Sequence, residues 1–120
     1  MTQAKVLSVA PVLCVSVMKP AIDFFVDRLG FTLTGSAGEP PSWASLERNG
    51  SEVMLACGNH PRPAQDWAAY FYVENVDALY AEVEQRGADI ASGLVDKPHK
   101  CREFEARMPD GRLIAFGQSI

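Results

Sequence analysis

The sequence predicts an α+β fold in which tandem βαβββ modules form a curved, partly open mixed β-sheet. Three observations predict it. The order strand, helix, strand, strand, strand occurs twice along the 120 residues. Matching places in the two halves keep steady offsets: Val15 and Val73, like Arg28 and Arg86, lie 58 apart, while Asn49-Gly50 and Asp110-Gly111 lie 61 apart. A stretch holding Gly58, Asn59, Pro61 and Pro63 falls at mid-chain, and the pattern restarts after it. One domain, 1–120, is thus expected to divide into module 1 (1–58), a linker (59–67) and module 2 (68–120).

Each element has its own signal. Residues 5–15 are apolar and β-branched, a strand, and Ser16 is placed to cap the helix that follows. Pro20 is tolerated in a first helical turn. Met18, Ile22, Phe25, Val26 and Leu29 recur at helical spacing, and Gly30 ends the run. Residues 31–34 read as a strand and 35–41 as a Gly/Pro loop. Residues 43–47 and 51–57 read as a hairpin around Asn49-Gly50, because both turn residues accept positive φ. In the second half, residues 68–73 are a strand, and Asn75 caps a helix with Val76, Leu79, Tyr80 and Val83 on one face. Gly87 ends it. Residues 88–91 are a short strand, 93–100 a loop, and 102–108 with 112–117 a hairpin around Pro109-Asp110-Gly111.

Composition narrows the partners. Eleven basic and fifteen acidic residues give a formal charge of −4, spread over both halves. Phosphate binding needs clustered positive charge, so no nucleic-acid partner is expected. No segment approaches the roughly 18 apolar residues that span a bilayer, so no membrane partner is expected. The run 6–17 contains Ser8, Pro11 and Ser16 and leads into a helix, which reads as a buried strand and not a signal peptide. Cys14, Cys57 and Cys101 are odd in number and widely spaced, which fits reduced thiols and a cytoplasmic location. Cys14 and Cys57 are expected to pack in the core. Cys101, between Lys100 and Arg102, reads as an ordinary strand-end thiol, with a reactive thiol as the alternative.

Ala10-Pro11-Val12-Leu13-Cys14-Val15, the helix 21–28 and Leu29-Gly30-Phe31 together resemble the opening of the glyoxalase/bleomycin-resistance/dioxygenase (vicinal oxygen chelate) superfamily. Val73-Glu74-Asn75-Val76-Asp77-Ala78-Leu79-Tyr80 resembles its second helix entry. Arg102-Glu103-Phe104 and Pro109-Asp110-Gly111-Arg112-Leu113-Ile114-Ala115-Phe116-Gly117-Gln118 resemble its closing hairpin. The resemblance covers nearly the whole chain and is more specific for the fold than for any one activity.

Enzymes of that superfamily hold a divalent metal with four His, Glu or Gln side chains, one on the first and one on the last strand of each half. The resemblance places these positions at Ala10, Met54, Ala68 and Ala115, and the offsets of 58 and 61 agree. Alanine has no donor and a thioether is a poor one for zinc, iron or manganese, so no metal and no cofactor are expected. A one-residue slip brings in only other non-ligating residues. Glu52 would share the face of Met54, as a single pocket charge or a solvated residue. His60 falls in the linker and His99 in a loop, and no catalytic set stands out.

A pocket without metal binds by shape, stacking and a few polar groups. Trp43, Met54, Trp67, Arg102, Phe104 and Ala115 are the candidate ligand-binding residues. The two tryptophans lead, because planar rings give contact area at low entropy cost; the alternative is that they cover core or a dimer seam. Arg102, Phe104 and Ala106 share one strand face, whichever face that is. Phe71 and Phe116 alternate away from the ligand positions and are expected in the core. The pattern resembles the metal-free bleomycin-resistance branch, which implies a homodimer with clefts built from both chains. The expected function is metal-independent binding of a small molecule, a bleomycin-type antibiotic or another planar, hydrophobic ligand. The alternatives are a metal-dependent lyase, isomerase, thiol transferase or dioxygenase, and an interaction module without a pocket.

Overall fold

A computed structural model describes residues 4–58 and 67–120. β1 (Val12–Val15) leads into α1 (Met18–Asp23), which widens into a π-helical turn (Phe24–Arg28). Then come β2 (Thr32–Ala37), β3 (Trp43–Arg48) and β4 (Ser51–Cys57). β5 (Trp67–Tyr72), α2 (Val76–Gln85), β6 (Ile90–Asp96), β7 (Cys101–Arg107) and β8 (Leu113–Ser119) repeat the order. The two open sheets share one topology, β1-β4-β3-β2 and β5-β8-β7-β6. In each, the first and last strands pair in parallel and the other pairs are antiparallel. Val12 pairs with Met54, and Tyr70 with Ala115. The offsets from 12 to 70 and from 54 to 115 are 58 and 61, those of the sequence repeat. Every ladder lies within one module.

Local chemistry explains the elements. Asn49 and Gly50 take φ of 52° and 83°, the positive values a two-residue hairpin needs. The Asn75 side chain accepts from the Ala78 amide at 3.1 Å, capping α2. Ser16 does not cap α1: Val17 occupies that place and no side chain caps it. The π-helical turn shifts the buried stripe, so Met18, Ala21, Phe24, Phe25 and Leu29 face inward while Ile22 and Val26 are only partly covered.

Other boundaries move as well. The N-terminal strand starts at Val12, and Val6, Leu7 and Val9 before it are 93%, 91% and 86% exposed. Apolar composition alone does not make a buried strand; a partner strand is needed, and residues 4–10 belong to no ladder, while the Pro11 carbonyl accepts from the Met54 amide at 2.9 Å. β2 runs on to Ala37 and β6 to Asp96. β6 is an edge strand with register shifts at Ile90/Ser92 and Ser92/Val95, which blur its alternation. Trp67, expected in the linker, opens β5; the rest of that stretch, 59–66, lies outside the described residues.

One core spans both modules. Phe25 meets Phe24 and Phe31 edge to face, Phe31 meets Phe71, and Phe71 and Phe104 both stack on Phe116. Polar contacts tie the modules at the helix ends. Arg28 donates to the Arg86 carbonyl at 2.6 Å, and Arg86 donates back to the Asp27 carbonyl at 3.5 Å. Arg48 grips both oxygens of Glu82 at 2.8 Å. The Arg48 hydrogen bonds hold the Glu82 carboxyl below its usual range, against desolvation and with help from Arg86. Arg112, 3% exposed, reaches from module 2 to the Cys14 carbonyl at 2.7 Å and to Asp110 at 2.8 Å. Among the described residues, no helix is long and apolar enough to cross a membrane.

Candidate functional site

The helices pack on one face of each sheet and leave the other open. Alternation decides which side chains each face receives. In the first sheet Ala44, Leu46, Val53 and Leu55 turn to the helices and are fully buried. The open face therefore carries Val12, Cys14, Trp43, Met54 and Ala56, aligned by register, with Glu52 at its end. It is apolar and only partly covered, with Val12 59% exposed.

The open face of the second sheet is aromatic and acidic. Trp67, Tyr70 and Tyr72 line β5, with neighbouring ring centroids 5.1 and 5.0 Å apart. A register shift at Ala68 brings Trp67 onto the face of Tyr70. The Trp67 indole nitrogen donates to Glu105 at 2.5 Å. Glu103 is 1% exposed. One of its oxygens lies 2.5 Å from His99 Nε2, and the other has no hydrogen-bond partner among the described residues. The Tyr70 hydroxyl is also buried and unpartnered. Burial pushes the Tyr70 phenol well above its usual pKa, and the neighbouring Cys101 thiol and Glu103 carboxylate add to this. A groove of about 410 Å³ runs between the sheets, lined by Pro11 and Glu52 on one side and Tyr70 and Tyr72 on the other.

Tyr70 lies across β8 because Gly117 has no side chain. A β-carbon there would overlap the Tyr70 hydroxyl and sit 2.6 Å from its Cζ. Gly117→Ala is expected to cost about 1–3 kcal/mol through overpacking, read as a lower urea midpoint at constant m-value. Tyr70→Ala in the same chain should recover part of the loss. Absence of any recovery would mean that the glycine answers to something other than the tyrosine ring.

Four of the six candidate ligand residues lie on open faces: Trp43 and Met54 on the first sheet, Trp67 and Ala115 on the second. The other two do not. Phe104 is fully buried between Tyr80 and Phe116. Arg102 turns to the helix side and pairs with Asp96 at 2.6 Å and Asp77 at 3.2 Å. Alternation put these two on one strand face, and that face is the core. Ala115 is fully buried between its partners Tyr70 and Glu105. Cys57 is exposed at the end of β4 and Cys14 half-buried, so neither is a core residue; Cys101 is the buried thiol.

The positions 10, 54, 68 and 115 offer no oxygen or nitrogen donor. Among the described residues, no three His, Cys, Asp or Glu side chains converge to hold a metal ion. His60 lies outside the described residues. Tyr70, Tyr72 and Glu103 are site residues that pattern reading missed. The signal for the tyrosines is present in the sequence, since Ala68, Tyr70 and Tyr72 are spaced two apart along one strand.

The family model described as Glyoxalase/Bleomycin resistance protein/Dioxygenase superfamily matches residues 6–116. No curated protein matches the chain. Solved structures of similar fold include the bleomycin-binding protein from bleomycin-producing Streptomyces verticillus, complexed with copper(II)-bleomycin. It is 22% identical, with 95% of this chain and 97% of that one covered and a TM-score of 0.76. TioX from Micromonospora sp. ML1 is 25% identical over 94% of this chain and 96% of its own, with a TM-score of 0.72. TnmS3, an antibiotic binding protein from Streptomyces sp. CB03234, is 24% identical over 98% and 100%, with a TM-score of 0.71.

Proposed function

Because this chain belongs to the Glyoxalase/Bleomycin resistance protein/Dioxygenase superfamily, we propose that it is a metal-independent binding protein for a planar, largely apolar small molecule. The ligand is of the antibiotic type, a bleomycin-like compound or another with flat rings. The observation that carries this reading is the pair of open sheet faces, one apolar around Trp43 and Met54, one aromatic around Trp67 and Tyr72. Such faces bind by ring contact and burial of apolar area. The lack of donors at 10, 54, 68 and 115 supports binding over metal catalysis. Fold neighbours that bind bleomycin or another antibiotic support the ligand class.

The protein acts as a homodimer in this reading, with each cleft closed by a second copy. Support comes from the exposed apolar side chains Val6, Leu7, Val9 and Val12, which a second chain would cover. A mass near twice 13.1 kDa is expected in sedimentation. Bleomycin or a planar dye should quench tryptophan emission and raise the melting temperature. Trp43→Ala should weaken that binding more than it lowers stability, since the ring is only half-buried. A chain whose emission and melting respond to none of these compounds would sink the reading. A stoichiometric transition metal in protein purified without chelator would favour the enzymatic alternative.

A further inference from the structure

We infer that the open face of the second sheet holds a cation subsite, in which Glu103, beside Tyr70 and in the cross-strand row of Tyr72, receives a protonated nitrogen of the ligand. This rests on the binding reading above and names the chemistry of one end of the ligand.

Glu103 sits in mid-β7, on the open face, cross-strand from Gly117. It is 1% exposed, so water no longer solvates its carboxylate. His99 covers one oxygen, and the other has no partner. Among the described residues, nearby charges do not supply one. Arg102 turns to the opposite face and is committed to Asp96 and Asp77. Arg107 pairs with Asp89 at 3.3 Å. Glu105, on the same face as Glu103, adds a second carboxylate and takes the Trp67 indole. Among the described residues, two carboxylates therefore stand against one histidine, beside aromatic rings. Ring faces attract cations, and a charge-assisted hydrogen bond would satisfy the open oxygen.

The repeat sharpens the contrast. Glu103 pairs across to Gly117, and Trp43 pairs across to Ala56, positions 61 apart on the last strands. Where the first sheet offers an indole, the second offers a buried carboxylate. A ligand that uses both faces has a flat apolar body and one cationic end.

The test compares 9-aminoacridine, a cation at neutral pH, with acridine, its neutral analogue, by fluorescence titration of the full chain. Wild type should bind the cation about tenfold tighter. Glu103→Gln should bring the ratio near one. Tyr72 is 79% exposed, so Tyr72→Leu folds normally and should weaken the cation selectively. It decides the matter if Glu103→Gln fails to fold. Equal affinity of wild type for the two probes, or an undiminished preference in folded Glu103→Gln or in Tyr72→Leu, overturns the subsite alone. If neither acridine binds wild type, the binding reading falls with it.

Discussion

Arg112→Met is expected to cost about 3 kcal/mol of folding stability, the low end of what breaking a buried ion pair costs. The guanidinium is buried, donates to the Cys14 carbonyl at 2.7 Å and holds Asp110 at 2.8 Å. It also joins module 2 to module 1, so its loss removes charge-assisted contacts on both sides of the module boundary. Asp110 is 32% open to water, which keeps the cost at the low end. Methionine keeps much of the stem volume, so the loss reports the charge and its hydrogen bonds more than packing. Urea unfolding measures it. Arg112→Lys should recover only a part, because an ammonium lacks the planar fork. A loss within about 0.5 kcal/mol, the range of ordinary surface substitutions, would mean that the bridge is not structural.

Phe104→Ala is expected to cost about 3–5 kcal/mol, the range for emptying a buried aromatic site. The ring is fully buried, 5.0 Å from Phe116 and 5.2 Å from Tyr80 by centroid. Its neighbours are themselves held by strands and α2, so the cavity will not collapse freely. Ligand affinity of the chains that remain folded should hardly change. Affinity lost at unchanged stability would return Phe104 to the ligand site. Trp43→Ala is the opposite case, with affinity lost first.

The contrast between these two aromatics marks how far sequence reasoning carries. Elements defined by a local device were legible: the Asn49-Gly50 turn, the Asn75 cap, the paired offsets that the strand registers reproduce. Elements that depend on a distant partner were not. The apolar run before Val12 looks like a strand because its composition is that of one, but composition does not supply a neighbour to pair with. β6 reads short in the sequence because register shifts at a sheet edge break the alternation that strand reading relies on. For Phe104, the turn at Pro109-Asp110-Gly111 pairs it with Phe116, already expected in the core, so its face was recoverable from hairpin register. Glu103 left no such trace. A glutamate in a strand reads as solvated, and only the tertiary fold puts tyrosine and histidine over it.

Confinement of each ladder to one module also bears on how the chain finds its fold. The longest-range strand pairings join Val12 to Met54 in one module and Trp67 to Leu113 in the other, so among the described residues no strand pairing closes a loop longer than a module. Loop entropy grows with the separation of the residues joined, and search time with it. The parallel closure in each half is the costly step, because it must wait for an intervening helix and hairpin. What remains between the halves is the docking of side chains, a stage that needs no strand to be threaded past another.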